Sequence, residues 1–216
     1  MEFARPICPF FTLSAHSQRW LRLAVVFSVV VMMGLCCDVQ GQSSPEIQNH
    51  SLDFSGWAAG ATGEEGFNSF TESQIFTTGI FVGIPLTSEI GDRWYRGRLQ
   101  YGADFIPVFV QFTPRISGIG FDPVILRWIS SARRGRVVSF IELGGGGLHT
   151  NKNFPRGDTS NFNFMARGGG GVQIATRRSQ ALEIACRWWH ISNANLGNRN
   201  PEFNGIQVSV GWHWFK

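Results

Sequence analysis

The sequence predicts an all-β fold, an eight-stranded antiparallel transmembrane β-barrel with a plugged polar interior, and three observations carry that expectation. Segments of about 8 to 14 residues alternate in polarity and are divided by turn-rich stretches; eight can be counted. Their polar faces collect charges of both signs while the opposite faces are apolar, the reverse of a water-soluble barrel, whose apolar face points inward. Composition agrees: of 216 residues 43% are hydrophobic and only 16% charged, with 26 glycines and 19 phenylalanines, unlike an ordinary cytosolic enzyme. An even number of strands with one apolar and one mixed face is the pattern of a membrane barrel.

Taken in order, residues 1–41 read as a signal peptide. Arg19 and Arg22 precede the apolar run LAVVFSVVVMMGLCC, and Val39 and Gly41 occupy the small-residue positions before a cleavage expected after Gly41. A run of about 15 apolar residues is short for a spanning helix, which needs roughly 20. Cys36 and Cys37 raise a lipoprotein signal, but the residues before them are not the small ones such a signal requires. Cleavage removes Arg5, Arg19, Arg22, Glu2 and Asp38, leaving 16 basic and 13 acidic side chains, a net charge of +3. That balance is too mild to argue for a nucleic-acid partner. It also leaves Cys186 alone, so no internal disulfide stabilises the exported chain.

Residues 42–51 form a short tail, and the barrel is expected over 52–216. The first two strands lie near 52–62 and 74–86, divided by the turn-rich GATGEEGFNS. The third, near 94–109, carries Arg98 and Asp104 on its polar face, and the fourth, near 119–130, carries Arg127. The fifth, RVVSFIELGGGG near 136–147, fits least well, because Phe140 and Glu142 share a face. After NKNFPRGDTS, the sixth strand, near 161–175, sets Phe162, Phe164, Ala166, Val172 and Ile174 against Asn163, Arg167 and Gln173. The seventh, near 180–193, sets Leu182, Ile184, Cys186 and Trp188 against Glu183 and Arg187. The last, near 204–215, opposes Ile206, Val208, Val210, Trp212 and Trp214 to Gln207, Ser209 and His213. Trp94, Trp128, Trp188, Trp212 and Trp214 fall in strands or near their ends, where aromatic girdles meet the membrane interface. The closing GWHWFK is close to the aromatic ending of outer-membrane barrels. Eight strands leave an interior only wide enough for side chains, which argues against a conducting pore.

Two glycine runs invite a phosphate-loop reading, LGGGGLHT at 143–150 and RGGGGVQI at 167–174. Neither has the Lys-Ser/Thr of such a loop or a helix after it, so strands that bend or approach closely explain them better. Paired-cysteine motifs, H-E-x-x-H and G-x-S-x-G are absent. His50, His149 and His213 stand without partners at metal-ligand spacing and read as non-catalytic. No metal or organic cofactor is expected.

Chemistry concentrates in RWWHISNANLGNRNPEFNG, residues 187–205. There His190 and Ser192 share the apolar face, and residues two apart in a strand lie about 6.5 to 7 Å apart on one side, within reach of a hydrogen bond. A serine beside an imidazole is the minimum for ester cleavage, with His as base and then acid. The bland alternative is two interfacial polar residues at a strand end.

HISNANLGNRNPEFNG resembles the His-x-Ser-Asn-Ala segment of the outer-membrane lipid A 3-O-deacylases, the PagL family, known more broadly as acyloxyacyl hydrolases. GFDPVILRW and IELGGGGLHTNKNFP are also similar to stretches of that broader family. The resemblance implies an eight-stranded barrel with its active site on the outer, lipid-facing wall, His190 as general base and Ser192 as nucleophile. The family's enzymes place a Glu twelve residues after the serine to orient the histidine; here that position is Asn204, and Glu202 of the same parity stands nearby beside Pro201. Either Asn204 or Glu202 is the expected third member. Oxyanion donors are sought just after the serine, in Asn193, Ala194, Asn195 and Asn200, although Asn-rich runs also serve ordinary turns.

The expected function is therefore an outer-membrane serine esterase removing the 3-O-linked hydroxyacyl chain of lipid A in lipopolysaccharide. Arg199 and Lys152 are candidates for pairing with lipid A phosphates at the rim. Two alternatives stand beside this reading: a non-catalytic structural or adhesive barrel, and an esterase acting on other membrane lipids.

Overall fold

The computed structural model describes residues 51–63, 73–92, 95–155 and 160–216. The expected signal peptide with its cleavage site, His50 and Trp94 lie outside them. Eight strands follow one another: β1 (Asp53–Gly63), β2 (Gln74–Pro85), β3 (Gly97–Gln111), β4 (Ile116–Arg134), β5 (Val137–Thr150), β6 (Phe162–Arg177), β7 (Gln180–Ser192) and β8 (Phe203–Phe215). Each pairs antiparallel with its neighbours in sequence, and β1 pairs with β8 from Asp53↔Phe215 to Gly63↔Gly205, closing the barrel. Expected and observed bounds agree within three residues except at the end of β4, which runs on to Arg134. The reason is a two-residue hairpin between β4 and β5, where Gly135 takes φ 60°, a conformation that glycine adopts without a Cβ penalty.

Alternation places apolar side chains outside. Phe121, Ile141, Leu143, Val208, Val210 and Trp214 are exposed, whereas Gln207, Ser209 and His213 between them point inward and are buried. Trp188 and Trp214 stand exposed toward opposite ends of the barrel, as an aromatic girdle requires.

Inside, the charges expected on the polar face form a connected network. Arg127 donates to Glu142 at 2.8 Å and to Glu183 at 2.9 Å. Arg187 pairs with Glu142 and, at 3.1 Å, with Glu183, and Arg167 pairs with Asp104 and, at 3.1 Å, with Asp122. Phe140 shares the inward face with Glu142 for a reason the alternation hides: the Arg127 guanidinium lies 4.2 Å from its ring centroid and 4.6 Å from that of Phe81. His213 is not isolated, as the sequence suggested. It lies in this network, 2.6 Å from Asp53 and 2.9 Å from Glu183.

The interior changes character along the barrel. Toward the ends where β7 finishes and β8 begins, Ile106, Phe109, Phe154, Trp189, Ile191 and Phe203 form an apolar plug, with Phe109–Phe154 and Trp189–Phe203 ring centroids 5.2 and 6.0 Å apart. The glycine runs lie in facing strands, β5 against β6, with Gly144 opposite Arg167 and Glu142 opposite Gly169. A Cβ on Gly169 would meet the Cys186 carbonyl oxygen at 2.2 Å, so close strand approach, rather than phosphate binding, accounts for the glycine there.

Candidate functional site

His190 and Ser192 are the outward-facing residues at the end of β7, and the β7–β8 register sets His190 directly opposite Asn204. Their inward neighbours hold them there. Trp189, Ile191 and Phe203, which alternate with them, are each no more than 1% exposed and belong to the apolar plug. A slip of one residue would turn those three side chains outward and the polar three inward, so packing locks the register that brings the site together.

The three side chains form a relay. His190 Nε2 lies 3.0 Å from Ser192 Oγ and His190 Nδ1 lies 2.8 Å from Asn204 Oδ1. An amide oxygen only accepts, so Nδ1 carries the proton and donates it to Asn204; Nε2 is then the bare nitrogen that accepts the Ser192 hydroxyl. Both ring nitrogens are thus occupied, one by Ser192 and the other by Asn204 rather than Glu202. Trp188, exposed on the same wall, stacks on the imidazole with centroids 5.6 Å apart and planes 20° apart, covering one ring face. The i, i+2 spacing to His190 was legible in sequence, but its use as a stacking partner was not. Ser192 is 8% exposed.

The loop after Ser192 turns at once. Ala194 and Asn195 adopt φ 52° and 62°, and the Leu196 N–H donates to the Asn193 carbonyl at 3.0 Å. Positive φ is costly for alanine and concentrates where function over-determines the backbone. Asn193 has a different task from the oxyanion donor that sequence suggested. Its backbone N–H donates to Asn200 Oδ1 at 2.9 Å and its side-chain amide donates to the Arg199 carbonyl at 2.8 Å, which ties the two ends of the loop together. The Asn200 amide oxygen accepts in the same tie, a bond that leaves the donor role of its amide nitrogen untouched. Ala194 and Asn195 are exposed and carry backbone donors on the turn itself. Arg199 and Lys152 have exposed side chains on loops at this same end. Among the described residues, no group of three or more His, Cys, Asp or Glu side chains is placed to hold a metal ion.

Comparisons with known proteins bear on this geometry. A family model described as lipid A 3-O-deacylase (PagL) matches residues 89–213, which includes every member of the relay. The chain is similar in fold to a crystal structure of the outer membrane enzyme PagL, with a TM-score of 0.52 and 20% identity over 74% of this chain and 97% of that one. It is also similar to a crystal structure of Neisserial surface protein A (NspA), with a TM-score of 0.51 and 13% identity over 77% and 97% of the two chains. No curated protein matches it in sequence. At these identities the structural likenesses speak to fold.

Proposed function

We propose that this chain, which belongs to the lipid A 3-O-deacylase (PagL) family, is an outer-membrane serine esterase that removes the 3-O-linked hydroxyacyl chain of lipid A in lipopolysaccharide. The observation that carries the reading is the relay Ser192–His190–Asn204, aligned on the outside wall of the barrel. Ser192 Oγ attacks the ester carbonyl while His190 Nε2 takes its proton; the Nδ1–H stays on Asn204 Oδ1. The oxyanion is met by backbone N–H groups of the Ala194–Asn195 turn. As the tetrahedral intermediate collapses, His190 returns the proton to the sugar oxygen, which leaves as an alcohol. Water then attacks the acyl-Ser192 ester along the same path and releases the hydroxy fatty acid.

The position of the site supports a membrane lipid as substrate. An apolar outer surface and a charged, ion-paired interior suit a barrel that spans a bilayer, where each backbone group must pair within the protein. The site lies at the barrel end opposite the start of β1 and the end of β8, where the β1–β2, β5–β6 and β7–β8 loops are long; two of the three connections at the other end have two residues. Membrane barrels keep short turns on the inner side and long loops outside, so the relay falls in the outer leaflet. A lipid with several acyl chains meets it laterally, without leaving the bilayer, while Arg199 and Lys152 at the rim face its phosphates.

Neutral Asn204 favours a second reading, a non-catalytic barrel, because an amide stabilises imidazolium less than a carboxylate does. Mass spectrometry of lipid A from cells expressing the inserted wild type or Ser192→Ala separates the readings. Loss of one 3-hydroxy fatty acid with wild type only is expected. No change with either protein sinks the esterase, and altered phospholipids instead identify another lipid as substrate.

A further inference from the structure

The imidazole of His190 is held at both of its edges and on one of its faces. The edges meet Ser192 and Asn204, at 3.0 and 2.8 Å. The face meets Trp188, whose ring plane lies 20° from that of the imidazole with centroids 5.6 Å apart. Residues two apart on one strand face are spaced about 6.5 to 7 Å, so the two rings lean together. Their neighbours across the sheet leave room for that lean. Trp188 pairs with Gly168 on β6, which brings no side chain, and with Ile206 on β8, which is apolar. His190 itself pairs with Ala166 on β6 and Asn204 on β8. Trp188, Ser192, Ala166 and Asn204 are thus the residues beside the imidazole on its own strand and on both adjoining strands, and none of them carries a charge.

We propose that Trp188 is a positioning residue of the relay: its indole face keeps the imidazole aligned with Ser192 and Asn204 and stabilises the positive charge which that ring gains on taking the serine proton. The inference rests on Ser192 being the nucleophile and His190 its base. Charge is the reason the stack matters. Asn204 offers an amide dipole where a carboxylate would stabilise the imidazolium directly. A cation within about 6 Å of an aromatic centroid is attracted by the ring quadrupole, most strongly by an indole and more so away from water. The stack meets that distance on the apolar outer wall. Before proton transfer the imidazole is neutral and gains little from the quadrupole. The contribution therefore falls on the transition state, and it shows in kcat rather than in KM. A tryptophan serving only the aromatic girdle meets lipid alike in both states and has no such preference.

Two reactions test the role. One is release of hydroxy fatty acid from lipid A; the other is phosphonylation of Ser192 by a fluorophosphonate, in which Oγ bonds to phosphorus, fluoride leaves and His190 takes the proton. Trp188→Ala is expected to lower kcat and the phosphonylation rate about fivefold, with KM for lipid A changed by less than about twofold. Trp188→Phe, which keeps a π-face, is expected to recover roughly half of the wild-type rate. Tryptophan analogues with successively more ring fluorines at position 188 keep the indole's shape while drawing off its π density, and each added fluorine is expected to lower both rates. A flat fluorine series overturns the proposal, whatever Trp188→Ala does to folding. In Asn204→Glu protein the loss caused by Trp188→Ala is expected to shrink below about twofold, because the carboxylate then meets the same charge. An undiminished loss there also overturns it. Wild type that is phosphonylated but leaves lipid A intact removes lipid A as the substrate, and a falling fluorine series in its phosphonylation still upholds Trp188. Lipid A hydrolysis with a flat series does the reverse, and wild type that is neither phosphonylated nor active removes both.

Discussion

The bond between His190 and Asn204 decides how good a base the imidazole can be. Asn204 Oδ1 fixes the tautomer by accepting the Nδ1–H, but it carries no formal charge against the imidazolium that forms during attack. Asn204→Ala is expected to lower kcat at least tenfold, about 1.4 kcal/mol, and Glu202→Ala to change it by less than about threefold. Asn204→Glu is expected to raise kcat, since a carboxylate stabilises the imidazolium more. Release of hydroxy fatty acid measures all three, and a larger loss with Glu202→Ala would show that the working partner of His190 differs from the one in the structure. His190 and Ser192 were legible because spacing within one strand is a local property, whereas Asn204 stood beside Glu202 as an alternative. The task of Asn193 was not, because its partners Asn200 and Arg199 come from the far side of a loop whose path no periodicity encodes.

At the scale of elements, β7 and β8 work as a pair with two faces. The outward face carries His190, Ser192 and Asn204, and the inward face holds their position. Trp189→Ala removes a side chain that touches Phe109 and Phe203 inside the plug, and a cost of about 3–5 kcal/mol in unfolding free energy is expected. Esterase activity should fall with it although Trp189 points away from the substrate. A variant that loses stability with full retention of kcat would show that the relay is held by something other than the plug. The polar layer makes a parallel prediction. Glu142→Leu leaves Arg127 and Arg187 to share Glu183 alone, and breaking such buried pairs costs about 3–5 kcal/mol, measurable by urea titration of the barrel in lipid vesicles. The sequence announced these charges by alternation. It could not announce the plug, because inward positions near the site are as apolar as outward ones and alternation vanishes there.

For the whole molecule, polarity is inverted relative to a soluble protein, and this can be tested on adjacent residues of one strand. Val210 is 51% exposed near the middle of β8, beside inward Ser209. Val210→Arg is expected to cost about 2–4 kcal/mol in a bilayer, the range for a cation at the midplane on a lipid-facing wall. The same change measured in a polar solvent model of the outside would cost little, so a bilayer penalty below about 1 kcal/mol would mean that this wall does not meet hydrocarbon. Closure of β1 on β8 leaves no open edge, which completes the pairing of backbone groups that such a setting demands.

Strand number, strand order, the inverted polarity and the pairing of His190 with Ser192 were all determined by the chain alone. Each follows from period-two alternation or from spacing within one strand, and both are written in neighbouring residues. Two things waited for the tertiary structure: the imidazole's partner and the commitment of Asn193 to its loop. They join residues from different strands or from the two ends of a loop, and only closing the barrel in one register brings those residues to a common distance.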